Sequence, residues 1–142
     1  PWLPRSRPVP TGGTRRAVAA YLARRRVIGT RLVVTGPEYR EVTVRARVRA
    51  LRATDRVRLR GLVLEALDRF LHPLEGGPDG TGWPFGRDVY RSEVLQVLDE
   101  IPGVDHVLQL EFVSDGCEAS CGNVCLGPIG LPASGAHQIE VL

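Results

Sequence analysis

Three thiols and a histidine stand toward the end of the chain: Cys117, Cys121 and Cys125 in the stretch CEASCGNVC, and His137 beyond them. Zinc accepts three sulfurs and one imidazole in a tetrahedral shell, so these four are the residues a metal would use. The spacing argues against it. Thiols four apart suit a helix face or a loop, whereas structural zinc sites favour C-x-x-C knuckles. We expect small apolar thiols and no metal. An odd cysteine count argues against a disulfide framework and for a reducing compartment.

Ser134 lies in PASGA, which lacks the first glycine of a G-x-S-x-G elbow, and nothing in the local sequence orients His137 towards it. His106 and His137 both fall on apolar faces of predicted strands, where a satisfied structural imidazole is the expected role. Carboxylates are scattered, with Asp99 and Glu100 on the wet side of a predicted helix, and no pair is placed for acid–base work. No catalytic residue is expected, and no enzyme.

The glycine-rich stretch GGPDGTGWPFGRDVY, residues 76–90, raises phosphate binding as a possibility. It fails the templates: it has no GK[ST], its glycines do not spell G-x-G-x-x-G, and it follows a helix rather than a strand. Asp79 alone lacks the spaced carboxylates of a calcium loop. No cofactor is expected. The loop reads as a shaped brace, with Gly82, Trp83, Pro84, Phe85, Gly86, Arg87 and Asp88 as its core. At least one of its two rings should bury, and Asp88 should cap the following helix.

All 19 basic residues are arginine, and the net charge is +3. Arg45, Arg47, Arg49, Arg52, Arg56, Arg58 and Arg60 form a dense stretch in which the first three share one strand face. No aromatic residue interrupts it between Tyr39 and Phe70, whereas single-stranded nucleic-acid sites interleave cations with stacking rings. Arg45, Arg47 and Arg49 are therefore a candidate protein interface, where planar forks meet carboxylates. A nucleic acid or other polyanion is the alternative partner for the same face.

These residues must be positioned by about three helices on short mixed or antiparallel sheets, an α+β chain open to division into two interlocked subdomains. Residues 1–13 carry four prolines and read as an extended lead-in. Thr14 fits a helix N-cap, with Val18, Tyr21, Leu22 and Ile28 on one face and Gly29 ending the helix. TRLVVTG follows as a short strand, paired with EVTVRARVRA, whose Val42, Val44, Ala46, Val48 and Ala50 alternate with polar residues. That gives a first subdomain over 14–50 and a second over 51–142.

In the second subdomain a helix starts near Asp55, with Leu59, Leu62, Val63, Ala66, Leu67, Phe70 and Leu71 at helical spacing. The next helix presents Tyr90, Val94, Val97, Leu98 and Ile101 inward and stops at Pro102-Gly103. VDHVLQLEFV makes a strand with Val104, His106, Leu108, Leu110 and Phe112 as its inner face, and AHQIEVL a short last strand. The chain has 142 residues and 43% hydrophobic composition, ordinary for a globular protein, with no apolar run long enough to span a membrane, and we expect no signal peptide. It opens on Pro1 and contains no methionine, from which we expect a piece of a longer polypeptide.

Three segments in this order carry a resemblance: GTRLVVTGPEYREVTVRARV, LHPLEGGPDGTGWPFGRDVYRSEVLQVLDEIPGVDHV and SGAHQIEV. Together they resemble the C-terminal part of the baseplate J-like family, the wedge proteins of contractile-tailed phages and contractile injection systems. The resemblance covers most of residues 11–142 and is most specific at GPDGTGWPFGRDVY. SDGCEASCGNVCLGPIG departs from it, so the cysteines have no family role. What the resemblance implies is a structural subunit that holds a baseplate ring together. Its partners would be other wedge subunits, copies of itself and hub, spike or sheath-initiator proteins. It would reside in the bacterial cytoplasm during assembly and then in the finished particle. The family brings no catalytic residues to transfer.

Overall fold

The computed structural model describes residues 7–115 and 122–142. They fall into two units, a smaller one of Pro8–Glu38 and a larger one holding Tyr39–Leu142 together with Arg7. The division therefore comes at residue 38, not at 50. The strand that was expected to close the first subdomain is instead the centre of the second unit's sheet.

That strand, β1 (Glu38–Ala50), alternates as its sequence demands. Val42, Val44, Ala46 and Val48 are buried, while Arg45, Arg47 and Arg49 are exposed. On one side it pairs antiparallel with β2 (Val104–Ser114), and on the other with β3 (Gly130–Ser134) and, in parallel, with β4 (Gln138–Val141). The result is a four-stranded mixed sheet in an α+β fold. Two helices, α2 (Arg56–Phe70) and α3 (Arg91–Asp99), add to the core through Leu59, Val63, Leu67 and Phe70, and through Val94 and Leu98.

Asp55 caps α2 as expected, its Oδ1 accepting the N–H groups of Val57 at 2.9 Å and Arg58 at 3.2 Å. Two of the four donors orphaned at a helix start are thereby satisfied. The apolar stripe of α2 also holds, except that Leu62 stays partly exposed at its edge.

β2 corrects the expected inner face. Its register against β1 slips by one residue between Arg47 and Val48, and again between Arg49 and Ala50. Each extra residue reverses which side the following side chains take. Val104 and Leu110 are buried and Val107 turns in, whereas Leu108 and His106 turn out to solvent. His106 is thus a surface imidazole beside Asp105 at 3.0 Å, not a core residue.

In the smaller unit, α1 (Gly12–Ala23) is capped one turn earlier than expected, by Thr11, whose Oγ1 accepts the Thr14 N–H at 3.1 Å. It buries no residue at all. Val18, Tyr21 and Leu22 lie on the helix but remain exposed, whereas the helix stops at Ala23, short of Ile28 and of the expected end at Gly29. A unit this short lies below the roughly 40 residues from which a core of its own can be built. Residues 30–37 run without regular secondary structure, so the expected first strand is not formed. Strand preference depends on a neighbouring strand and a buried face, and Arg31–Gly36 has no such setting.

Candidate functional site

The glycine-rich loop is built onto the carboxyl end of α2. Gly77 N–H donates to Phe70 O at 2.8 Å, Gly76 N–H to His72 O at 2.9 Å, and Trp83 N–H to Pro73 O at 3.0 Å. These backbone donors are thus spent on carbonyls at the helix end and just beyond it. Phosphate cradles use the opposite arrangement, with free N–H groups at a helix amino end. Close approach is what the glycines permit here. A Cβ on Gly76 would stand 2.3 Å from Phe70 O, and Gly82 adopts φ +102° while lying against Leu74 and Pro73.

Trp83 closes the arrangement. Its indole is only 5% exposed, meets the Phe70 ring edge-on at 5.5 Å between centroids, and donates from Nε1 to Phe70 O at 2.9 Å. Phe85, two residues on, is 63% exposed. One ring anchors and the other faces out.

Arg87 pairs locally. Its guanidinium forks onto Glu93, at 3.0 Å and 2.5 Å, and lies 5.5 Å from the Trp83 ring centroid and 5.3 Å from that of Tyr90. Its hydrogen bonds to the Glu93 carboxylate push its pKa up from an already high value, so the charge is permanent. Asp88, however, does not cap α3. Its Oδ1 accepts the N–H of Leu126 at 3.1 Å, while Asn123 Oδ1 accepts the Arg91 N–H at 3.0 Å in the first turn of α3. Val89 and Val124 exchange backbone hydrogen bonds between these two links, each at 3.0 Å. The chain after Pro84 is therefore stitched along a segment over 30 residues further on, and a distant asparagine does the work expected of the adjacent aspartate.

Arg45, Arg47 and Arg49 do share the wet face of β1, but they are not a bare basic patch. Arg45 stands opposite Glu111 and Arg47 opposite Gln109 on β2. Arg47 Nε also donates to Glu140 on β4 at 2.8 Å. Arg60 reaches across from α2 to donate to Ile139 O at 3.1 Å. Carboxylates placed directly across a sheet from arginines hold part of that charge within the fold.

The structure brings together three residues that the sequence analysis left apart. Ser134 Oγ lies 2.8 Å from His137 Nε2 and donates to Asp68 on α2, so His137 is in fact oriented towards Ser134. A serine, a histidine and an aspartate in contact are the residue set of a hydrolytic triad. Their connections differ from one. In a triad the aspartate holds imidazole Nδ1–H, which leaves Nε2 bare to take the serine proton. Here His137 Nδ1 accepts the Val44 backbone N–H at 3.0 Å, so the ring's proton resides on Nε2 and is directed at Ser134. The serine hydroxyl in turn gives its proton to Asp68 rather than to the imidazole. The His137 side chain is 0% exposed. This network is a cross-brace joining β1, β3, the turn before β4 and α2.

Of the four zinc candidates, Cys117 and Cys121 lie outside the described residues. Cys125 is half-buried, and both nitrogens of His137 are engaged as above. Among the described residues no group of three or more potential ligands converges on a metal position. No described helix is long and apolar enough to cross a membrane.

No protein-family model matches this chain, and no curated protein matches it. The functional reading therefore rests on the residues and their geometry.

Proposed function

We propose that this chain is a structural subunit of the baseplate wedge of a contractile phage tail or contractile injection system, holding a ring together through protein–protein contacts. The observation that carries the reading is the Gly82–Asp88 segment. It is the part whose sequence most specifically resembles the baseplate J-like family, and its polar groups are spent on internal bracing rather than on a ligand. Its partners on this reading are neighbouring wedge subunits and further copies of itself, with Arg45, Arg47 and Arg49 forking onto acidic partner side chains.

The test is reconstitution. Particles assembled without this chain should lack a closed baseplate, and adding it back should restore one. Arg45→Gln, Arg47→Gln and Arg49→Gln together should weaken incorporation and leave the isolated fold unchanged. Glutamine is chosen because glutamate would also repel Glu111 and Glu140 across the sheet. Particles that close normally without the chain would overturn the reading.

One observation favours a second reading, the binding of a polyanion. Residues 8–37 hold six arginines and no acidic residue. Binding of that kind falls steeply with salt on a log–log scale, in proportion to the phosphates contacted. Contacts between braced protein surfaces fall much less.

A further inference from the structure

We propose that α1 of one copy docks in the groove between α2 and α3 of a second copy, joining copies head to tail. The inference rests on the assembly reading above in naming another copy as the occupant. Its grounds are two uncovered surfaces that match in charge, apolar character and length.

The first surface is α1. Val18, Tyr21 and Leu22 stand at i, i+3 and i+4 on one face and are 42%, 59% and 39% exposed. Such a stripe is the mark of a helix that lays one side against a partner. Within its own unit nothing covers that stripe, and α1 has no buried residue. Its surroundings are basic throughout, with Arg15, Arg16, Arg24, Arg25 and Arg26 on or just beyond the helix and no carboxylate between residues 8 and 37. Arg25 lies 3.8 Å from the centre of the Tyr21 ring, so the ring and a cation are presented together.

The second surface is a groove along α2 and α3, made of two adjoining hollows that share Ala66, Arg69, Val97 and Glu100. Leu62, Ala66, Val97 and Ile101 give it an apolar floor. Its walls carry Glu75, Asp79 and Glu100, while Glu65 is met by Arg69 at 3.4 Å and Glu93 is held by the Arg87 fork. Apolar stripe meets apolar floor, and arginines flank the stripe as carboxylates flank the floor. The lengths also agree. α1 spans about 18 Å and α3 about 14 Å at 1.5 Å per residue, with the glycine loop extending the groove beyond α3.

A helix given by one copy and a groove by the next form a heterologous contact. Repeated, it closes a ring or runs on as a filament, according to the rotation between copies.

The experiment is sedimentation of the full chain across a concentration series, with two variants. The helix variant is Tyr21→Glu with Leu22→Glu; the groove variant is Glu75→Arg, Asp79→Arg and Glu100→Arg. All five positions are exposed, so both variants should fold, which circular dichroism and thermal melts verify. Each variant alone should lose more than about tenfold in self-association. Mixed in equal amounts, they should recover a one-to-one pair and stop there, because the pair holds one intact helix and one intact groove. Undiminished association in both variants would overturn the docking and leave the assembly reading standing. A wild-type chain that stays monomeric throughout would also overturn the docking, and the reconstitution above then judges the assembly reading separately. A wild-type chain that instead binds a single-stranded oligonucleotide or anionic vesicles through α1, without self-association, would overturn the docking in favour of a polyanion partner.

Discussion

Trp83 and Phe70 are joined twice: the indole Nε1–H donates to the Phe70 carbonyl oxygen at 2.9 Å, and the two rings meet edge to face at 78°. One side chain thereby covers the core and satisfies a carbonyl at the end of α2. Trp83→Ala should destabilise the fold by about 3–5 kcal/mol, the range for losing a large buried ring. Trp83→Phe retains most of the apolar area and removes one of two donors to Phe70 O, the Gly77 N–H remaining, for a loss of about 0.5–1.5 kcal/mol. Phe85→Ala should stay within about 0.5 kcal/mol, as an exposed position does. Urea denaturation of the three variants checks the order. Equal losses at Trp83 and Phe85 would show that the loop is not anchored as described.

Gly76→Ala tests the loop backbone separately from its rings. The new methyl group would fall 2.3 Å from Phe70 O and 2.4 Å from Arg69 O, and neither carbonyl can withdraw without unwinding the end of α2. A loss of about 1–3 kcal/mol is expected, typical of overpacking. Gly80→Ala makes a useful contrast, because nothing lies within 4 Å of its added Cβ although its φ is +64°. It should cost only the left-handed backbone penalty of roughly 1–2 kcal/mol.

Asn123 and Asp88 exchange the roles that proximity would assign them. Asn123→Ala should cost about 0.5–2 kcal/mol by removing the acceptor at the start of α3. Asn123→Asp should be tolerated or slightly stabilising, since a negative charge there complements the helix dipole. Asp88→Ala should disturb the backbone around Leu126 instead, and amide exchange would locate the loss there rather than in α3. Faster exchange throughout α3 in Asp88→Ala would sink this assignment.

Ser134 should be chemically inert. With its proton on Nε2 the imidazole is not available to take the serine proton, and the hydroxyl is held on Asp68 instead. A serine-directed fluorophosphonate should leave Ser134 unlabelled in mass spectrometry, while Ser134→Ala should lower stability by about 1–3 kcal/mol through the partners left unsatisfied. Labelling at Ser134 that disappears in His137→Ala would establish a nucleophile and refute the brace.

Zinc should be absent from the purified chain, because His137 has both ring nitrogens committed within the cross-brace. Elemental analysis is the measurement. About one zinc per chain, lost on Cys121→Ser, would show that the metal displaces that network.

Periodicity along the chain was enough for some of this architecture. The alternation of Val42, Val44, Ala46 and Val48 with arginines specified β1 and both its faces, because a strand turns every second side chain the same way. Asp55 and the stripe from Leu59 to Phe70 specified α2 in the same way, since capping and helical spacing act over a few residues. The burial of one ring of the glycine loop was also legible, from two aromatics held close by Pro84. Other features depend on what a residue meets across the fold. The bulges of β2 arise in its pairing with β1, and they moved His106 and Leu108 from the core to solvent. α1 has a helical stripe that nothing in its own unit covers, because periodicity states which side is apolar and not whether a partner exists. Asp68, Ser134 and His137 became neighbours only when α2 crossed the sheet, and Asn123 reached α3 only when its segment folded back along the loop. Hydrogen bonds between residues so far apart in sequence leave no local pattern, so tertiary structure alone decided them.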